Sequence, residues 1–269
     1  MVKIGRIMCK TLMGRSGIGS VDYAINPYLG CQHGCVYCYA KFMARWRGHK
    51  NEEWGSFVDI KVNALERLKA EALRRGKGVV LLSSVTDPYQ PLEREQKLTR
   101  GCLEILLEHQ FPISILTKSD LVLRDVDLLT QFDSCEVGLT VTAYNDDVRR
   151  AFEPGSSSVE ARLAALRKMS DAGLITYAFL GPLLPYLSEE GLDELMDELA
   201  GSVDHLLVDR LNVKSGIMPV VRRTLAESFP DVKFLFESAL SKDSGYYTKL
   251  KRRVTEMCRH RGIPCNVVY

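Results

Sequence analysis

Three short runs in this 269-residue chain are apolar at nearly every position: Val-Val-Leu-Leu-Ser-Ser at 79–84, Ile-Ser-Ile-Leu-Thr at 113–117 and Val-Gly-Leu-Thr-Val-Thr at 137–142. A strand with one face in water alternates apolar and polar residues, whereas a strand covered on both faces does not. These runs therefore predict a parallel sheet sandwiched by helices. Further strand-like segments lie at 23–28, 175–181, 205–209, 233–236 and 265–268. Helical periodicity fills the intervals at 62–75, 96–110, 123–131, 159–172, 189–200, 218–228 and 246–261. Arg75-Gly76 and Ala172-Gly173 read as helix C-terminal caps, and Ser188 ahead of Glu189-Glu190 reads as an N-cap. About six βα units in one chain of this length predict an α/β fold of the parallel (β/α) barrel type, a full or partial TIM-type barrel. A doubly wound sheet is the competing architecture. The expected division is an N-terminal leader over 1–20, a barrel core over 21–215 and completing βα elements over 216–269.

Thirty-six Lys and Arg against 34 Asp and Glu give a net charge of only +2, so any nucleic-acid partner must be argued from local patches. The opening residues hold no long apolar core, and no run approaches the roughly 18 apolar residues of a membrane helix. A cytoplasmic protein with no membrane partner is expected. Of eight cysteines, Cys31, Cys35 and Cys38 fall within eight residues. Cys9, Cys102, Cys135, Cys258 and Cys265 are scattered and read as small buried hydrophobes. In a reducing compartment the tight group indicates metal or redox chemistry, not disulfides.

That group lies in Asn26-Pro-Tyr-Leu-Gly-Cys31-Gln-His-Gly-Cys35-Val-Tyr-Cys38-Tyr-Ala. Three thiolates spaced C-x3-C-x2-C on one loop can bind three corners of a four-iron cubane, leaving one iron open to a chelating ligand. Gly30 and Gly34 let the backbone wrap closely around such a cluster. A structural zinc completed by His33 is the alternative, although zinc ligands usually arrive as two separated pairs.

With Tyr37 as the aromatic, C-x3-C-x-aromatic-C resembles the signature of the radical SAM superfamily. NPYLGCQHGCVYCYA, SSVTDPYQPLE, ILTKSDLVLRDVDLL, VGLTVTAYNDDVRRAFEP and GPLLPYL together resemble the spore photoproduct lyase-like (DNA repair photolyase-like) branch, from about residue 23 to about residue 187. The last third resembles only a generic barrel. The resemblance implies a [4Fe–4S] cluster on Cys31, Cys35 and Cys38, S-adenosyl-L-methionine on the open iron, and Tyr37 against the adenine. It also implies reductive cleavage to a 5′-deoxyadenosyl radical, an external flavodoxin- or ferredoxin-like electron donor, and nucleic acid as a candidate partner.

Residues leaving barrel strands at their C-terminal ends face the active mouth. Ser83, Ser84 and Thr86 are thus candidates to bind the methionine or ribose end of the cofactor, and Asp87 to accept its ammonium. A simple Thr-Asp-Pro turn is the plainer reading. Lys118 is the candidate partner of the cofactor carboxylate, against an exposed loop lysine. Thr140 and Thr142 share one side of their strand and are candidates for the ribose, against plain strand formers. Tyr39 and Tyr89 are candidate hydrogen relays, against mere packing. Arg149, Arg150, Asp209, Arg210 and Asn212 are polar mouth positions or solvated loops. Ser84 stands where the lyases resembled here carry the cysteine of a C-x-S-D segment, which returns hydrogen to the product. An alcohol O–H is too strong to do so readily, so dimer repair by that route is not expected.

Basic residues interleaved with aromatics run from Lys41 to Lys50, and a second basic patch holds Lys249, Lys251, Arg252, Arg253, Arg259, His260 and Arg261. Such patches neutralise phosphates and stack bases, or simply solvate a helix. Three functions follow in order: a radical enzyme acting on nucleic acid, one acting on a peptide or small metabolite, and a non-catalytic metal-stabilised binding protein. The lack of a second cysteine group argues against an auxiliary cluster.

Overall fold

The three continuously apolar runs sit side by side in one parallel sheet. The computed structural model describes residues 2–46, 48–213 and 216–269. Its strands are β1 (Lys3–Ile7), β2 (Met13–Arg15), β3 (Tyr23–Ile25), β4 (Tyr28–Leu29), β5 (Phe57–Lys61), β6 (Val80–Leu82), β7 (Ile113–Thr117), β8 (Cys135–Thr140), β9 (Ile175–Leu183), β10 (His205–Arg210) and β11 (Cys265–Val267). The helices are α1 (Ala64–Ala72), α2 (Glu93–Gln96), α3 (Leu98–Glu108), α4 (Val126–Leu129), α5 (Asp146–Phe152), α6 (Val159–Asp171), α7 (Leu192–Leu199), α8 (Met218–Ser228), α9 (Pro230–Ala239) and α10 (Tyr246–His260).

Eight strands form one sheet in the order β11-β10-β9-β8-β7-β6-β3-β2, parallel throughout except for the β2–β3 pair. From β3 to β11 the order never reverses, so the switch point that defines a doubly wound sheet is absent among these strands. The sheet is open: β11 and β2 are its edges, and the fold is a partial TIM-type barrel. A small second sheet, β1-β5-β4, supports the cysteine loop from outside.

Alternation places two kinds of residue on the two faces of the large sheet. Ile113, Ile115, Val137, Leu139, Val141, Ala178, Leu180, Leu206 and Val208 are buried with Leu103, Leu106, Leu163, Leu166 and Leu195 of the helices, forming the main core. The intervening residues are mixed: Ser114, Gly138 and Thr140 alternate with Leu116, Tyr177, Phe179 and Leu207. Ser114 donates to Glu136 (2.7 Å), the Tyr177 hydroxyl donates to the Ile115 carbonyl (3.1 Å), and Tyr177 stacks on His205 at 5.1 Å. Gly138 makes room for that ring, because a Cβ there would lie 2.3 Å from it.

Several local expectations change. Residues 233–236 are helical, within α9: Pro230 starts the helix, and Phe236 is buried while Phe234 and Leu235 face solvent, a helical period that a buried strand cannot show. The 23–28 segment divides at Pro27, which cannot donate to a sheet ladder. Ser188 caps no helix; it accepts from Leu184 N and donates to Thr142 O, and α7 starts after Gly191. Gly173 is left-handed (φ +81°) as a C-terminal cap should be, but α1 ends earlier than Gly76, at Ala72 with Leu73 as its cap. Residues 1–20 carry β1 and β2, each paired in a different sheet. The expected boundary at Ser215 and Arg47 of the first basic patch lie outside the described residues. No helix among the described residues is long and apolar enough to cross a membrane.

Candidate active site

Parallel strands deliver their C-terminal residues to one rim: Asn26 after β3, Ser83–Asp87 after β6, Lys118 after β7 and Thr142 after β8. The cysteine loop follows β4 along this rim. Gly30 has φ +88°, and a Cβ there would come within 2.5 Å of the Phe57 carbonyl. Gly34 has φ +60°. Cys31 and Cys35 are buried and Cys38 is half-buried, between one apolar cluster containing Phe152 and another containing Phe57 and Trp54. Burial pushes all three thiols up, Cys35 to about 12 against the opposing pull of Lys118. Metal binding must therefore displace protons.

His33 is buried, and its Nδ1 lies 3.3 Å from Asp87. Asp87 also accepts from Thr117 Oγ1 (2.6 Å), Tyr89 N (2.8 Å) and Lys118 N (3.0 Å). Although burial opposes its charge, His33 and these donors hold its carboxyl down at about 2. Both oxygens are engaged within the protein, so Asp87 ties the cysteine loop to the ends of β6 and β7. Thr86 is similarly engaged: it donates to Gly30 O (2.5 Å) and accepts from Gln90 (3.1 Å). Asn26 accepts from the backbone N of Ser84 and of Val85 at 3.0 Å each, and its amide donates to Ser84 Oγ at 3.3 Å. The Tyr39 hydroxyl donates to the Ser84 carbonyl, which brings these two candidates together beside Cys38.

Ser83 is different. It is buried, takes φ +71°, and its hydroxyl has no hydrogen-bond partner. Such a group normally finds a partner. Lys118 is different too: its Nζ lies 5.7 Å from the centre of the Tyr37 ring and has no ion pair among the described residues. Burial works against its charge, but Cys35, Glu153 and Asp87 outweigh this and raise its pKa.

A buried network that the sequence did not reveal lies behind Tyr37. Its hydroxyl donates to Glu153 Oε1 and lies 3.1 Å from Thr142 Oγ1, which also donates to Glu153 (2.6 Å). Glu153 Oε2 pairs with the fully buried Arg162 at 2.6 Å. Arg162 in turn donates to Thr140 O and Ser157 O at 2.9 Å each. The only sequence hint was an acid at the end of α5 with an arginine nine residues on.

Other candidates lie elsewhere. Tyr89 is fully buried with its ring 5.9 Å below the Arg124 guanidinium, on the helix side of the sheet. Arg149 and Arg150 pair with Asp146 and Asp147 on their own helix. Arg210 sits 5.8 Å over Tyr269 at the sheet's far edge, beside Asp209, whose carboxyl burial pushes up. In the second basic patch, Arg253 and Arg261 pair with acids of the α7 region, and Lys251 binds the carbonyl of Tyr269. That patch is a solvated, ion-paired helix face.

Three clustered thiols, an unpaired lysine and an unpartnered buried hydroxyl on one rim fit a cubane that carries an amino-acid-bearing ligand. Comparison with known proteins agrees. The family model described as the radical SAM superfamily matches residues 25–199. An uncharacterized protein of Methanocaldococcus jannaschii is 37% identical over 214 residues, 80% of each chain. A radical SAM Nalpha-GlyT isomerase of Pseudomonas phage M6 is 23% identical over 208 residues, 76% of this chain and 42% of that one. A spore photoproduct lyase double mutant, solved with AdoMet and a dinucleoside spore photoproduct, superposes over 99% of this chain and 82% of its own (TM-score 0.71, 19% identity). With the family model spanning the cysteine loop and all the rim strands from β6 to β9, the chain belongs to the radical SAM superfamily and is a radical SAM enzyme whose family implies a [4Fe–4S] cluster and S-adenosylmethionine.

Proposed function

We propose that this enzyme acts by hydrogen abstraction on a nucleic-acid substrate. When bound, the cluster and S-adenosylmethionine together supply one-electron cleavage to a 5′-deoxyadenosyl radical; the electron comes from an external flavodoxin- or ferredoxin-like donor. This chain's residues bind and shield. Cys31, Cys35 and Cys38 ligate the cluster. Lys118 pairs with the cofactor carboxylate, Ser83 donates its free hydroxyl, and Tyr37 walls the adenine side. Thr140 and Thr142 stand on the ribose side, Thr142 already bonded to Glu153. Thr86 and Asp87 position the loop.

Lys118→Ala should keep its iron and weaken S-adenosylmethionine binding by about 1.5–3 kcal/mol, the worth of a charged hydrogen bond. Isothermal titration of the reconstituted protein measures this, and an unchanged affinity would remove Lys118 from the site.

One observation carries the substrate class. Residues 39–46 form a 3₁₀ helix directly after Cys38, and side chains three apart eclipse in that geometry. Tyr39, Phe42 and Arg45 therefore make one row, and all three are exposed, Tyr39 by 49% and Phe42 by 44%. Lys41, Arg45 and Lys50 have no ion pair among the described residues, and no acid occurs between Cys38 and Lys50. Aromatic faces stack bases and free cations neutralise phosphates. Phe42→Ala should weaken binding of a single-stranded oligonucleotide about tenfold, read by fluorescence anisotropy at fixed salt. Failure of the unaltered protein to bind any oligonucleotide would reject this substrate class in favour of a peptide or small metabolite.

The route differs from dimer repair with cysteine hydrogen return. Cys102 lies on α3, Cys135 opens β8 at the end away from the rim, and Cys265 pairs with Leu206 near the start of β10. Little or no cleavage of spore thymine dimer is expected from the unmodified enzyme, and Ser84→Cys should introduce some. Efficient cleavage by the unmodified chain would show that another group returns the hydrogen.

A further inference from the structure

Residues 152–157, which join α5 to α6, contact both halves of the site without belonging to either. The Phe152 carbonyl accepts from Val36 N at 2.8 Å, between Cys35 and Cys38. Gly155 N donates to the His33 carbonyl at 3.0 Å, between Cys31 and Cys35. The two backbones could not approach so closely with any side chain at 155: a Cβ there would lie 2.1 Å from the Gln32 carbonyl oxygen and 2.9 Å from His33 Cα. On its other side the segment reaches the end of β7, where Ser157 N donates to the Lys118 carbonyl at 3.1 Å. Glu153 lies between these contacts, bonded to Tyr37 and Thr142 through one oxygen and to Arg162 through the other.

We propose that residues 152–157 with Arg162 are a template that sets the cysteine loop and Lys118 in register, Glu153 and Gly155 being its positioning residues. The loop cannot hold itself. Within it the only backbone hydrogen bonds are Gly34 N to Cys31 O (3.2 Å) and Cys38 N to Cys35 O (3.1 Å), and it contains two left-handed glycines. A buried ion pair is a poor source of net stability but can enforce one arrangement over others. Here it fixes the acceptor for Tyr37, the residue between two cluster ligands, and so the plane of the ring that Lys118 overlies. Charge distribution agrees: Glu153 is matched by Arg162, Asp87 faces His33, and Lys118 is left with a positive charge for an incoming carboxylate. The template is independent of which substrate the enzyme takes.

The test uses the full chain, reconstituted without oxygen, with iron per chain, S-adenosylmethionine affinity and the cofactor-induced change in the EPR signal of the reduced cluster as readouts. Gly155→Ala should remain folded by circular dichroism yet assemble less than half the iron. Glu153→Gln, which keeps the shape but loses the ion pair, should retain iron, bind S-adenosylmethionine about tenfold more weakly and show an altered EPR change. Adding Tyr37→Phe to Glu153→Gln should weaken binding no further than Tyr37→Phe alone, as expected for residues acting through one contact. Unaltered iron loading, affinity and EPR response in both single variants, with only a lower melting temperature, would overturn the template. Additive losses in the double variant would overturn the route through Tyr37.

Discussion

Alanine at any one of Cys31, Cys35 or Cys38 will take the iron of anaerobically reconstituted protein from about four per chain to near zero. The loop offers three protein ligands, and the other cysteines belong to other elements: Cys9 is bonded to Asn63, Cys102 is fully buried on α3, Cys135 opens β8, Cys258 lies on α10 and Cys265 opens β11. Cys102→Ala will leave both iron and sulfide unchanged. Stoichiometric zinc without sulfide in protein purified without oxygen would contradict this reading.

Glu153→Ala will destabilise the protein by about 3–5 kcal/mol, the usual effect of removing one partner from a buried pair and leaving the other charge uncompensated. Arg162 has no exposed surface through which water could take over. Since whole domains are stable by only about 5–15 kcal/mol, the melting temperature should fall steeply. The same group sets an acid limit. Burial opposes its charge, but Arg162 and Lys118 outweigh burial and hold the Glu153 carboxyl down at about 2. A carboxyl depressed in the folded state stabilises above its unfolded pKa, and that stability is lost as pH falls through the folded one. Unfolding should therefore accelerate between about pH 4.5 and 2 in the unaltered chain and much less in Glu153→Ala. Equal acid sensitivity in the two proteins would assign the transition to other groups, Asp87 first.

The fold was legible because its signal is local: a strand buried on both faces is apolar at nearly every position, and the runs in β6, β7 and β8 mark the sheet. The segment at 233–236 misled because Lys-Phe-Leu-Phe is short enough to suit either state, and Pro230 decides for helix. The candidate ligands Cys31, Cys35 and Cys38 stand out in the sequence because their spacing is the chemistry. The hydrogen bonds that Asp87 and Thr86 make within the protein do not, since a rim position does not tell whether a side chain faces a ligand or its own loop. Tyr89 shows the same limit: it is buried in the main core beneath the Arg124 guanidinium. The pairing of Glu153 with Arg162 is not legible in the sequence, because it arises only when α6 folds back onto the cysteine loop.

A working radical generator at the cysteine loop and rim has a direct chemical signature. Reconstituted protein given dithionite and S-adenosylmethionine, without substrate, should form 5′-deoxyadenosine and methionine slowly and in equal amounts, and Cys35→Ala should form neither. Product detection by liquid chromatography with mass spectrometry reads both. A full cluster that binds S-adenosylmethionine yet yields no 5′-deoxyadenosine under reduction would show that the loop and rim do not generate the radical.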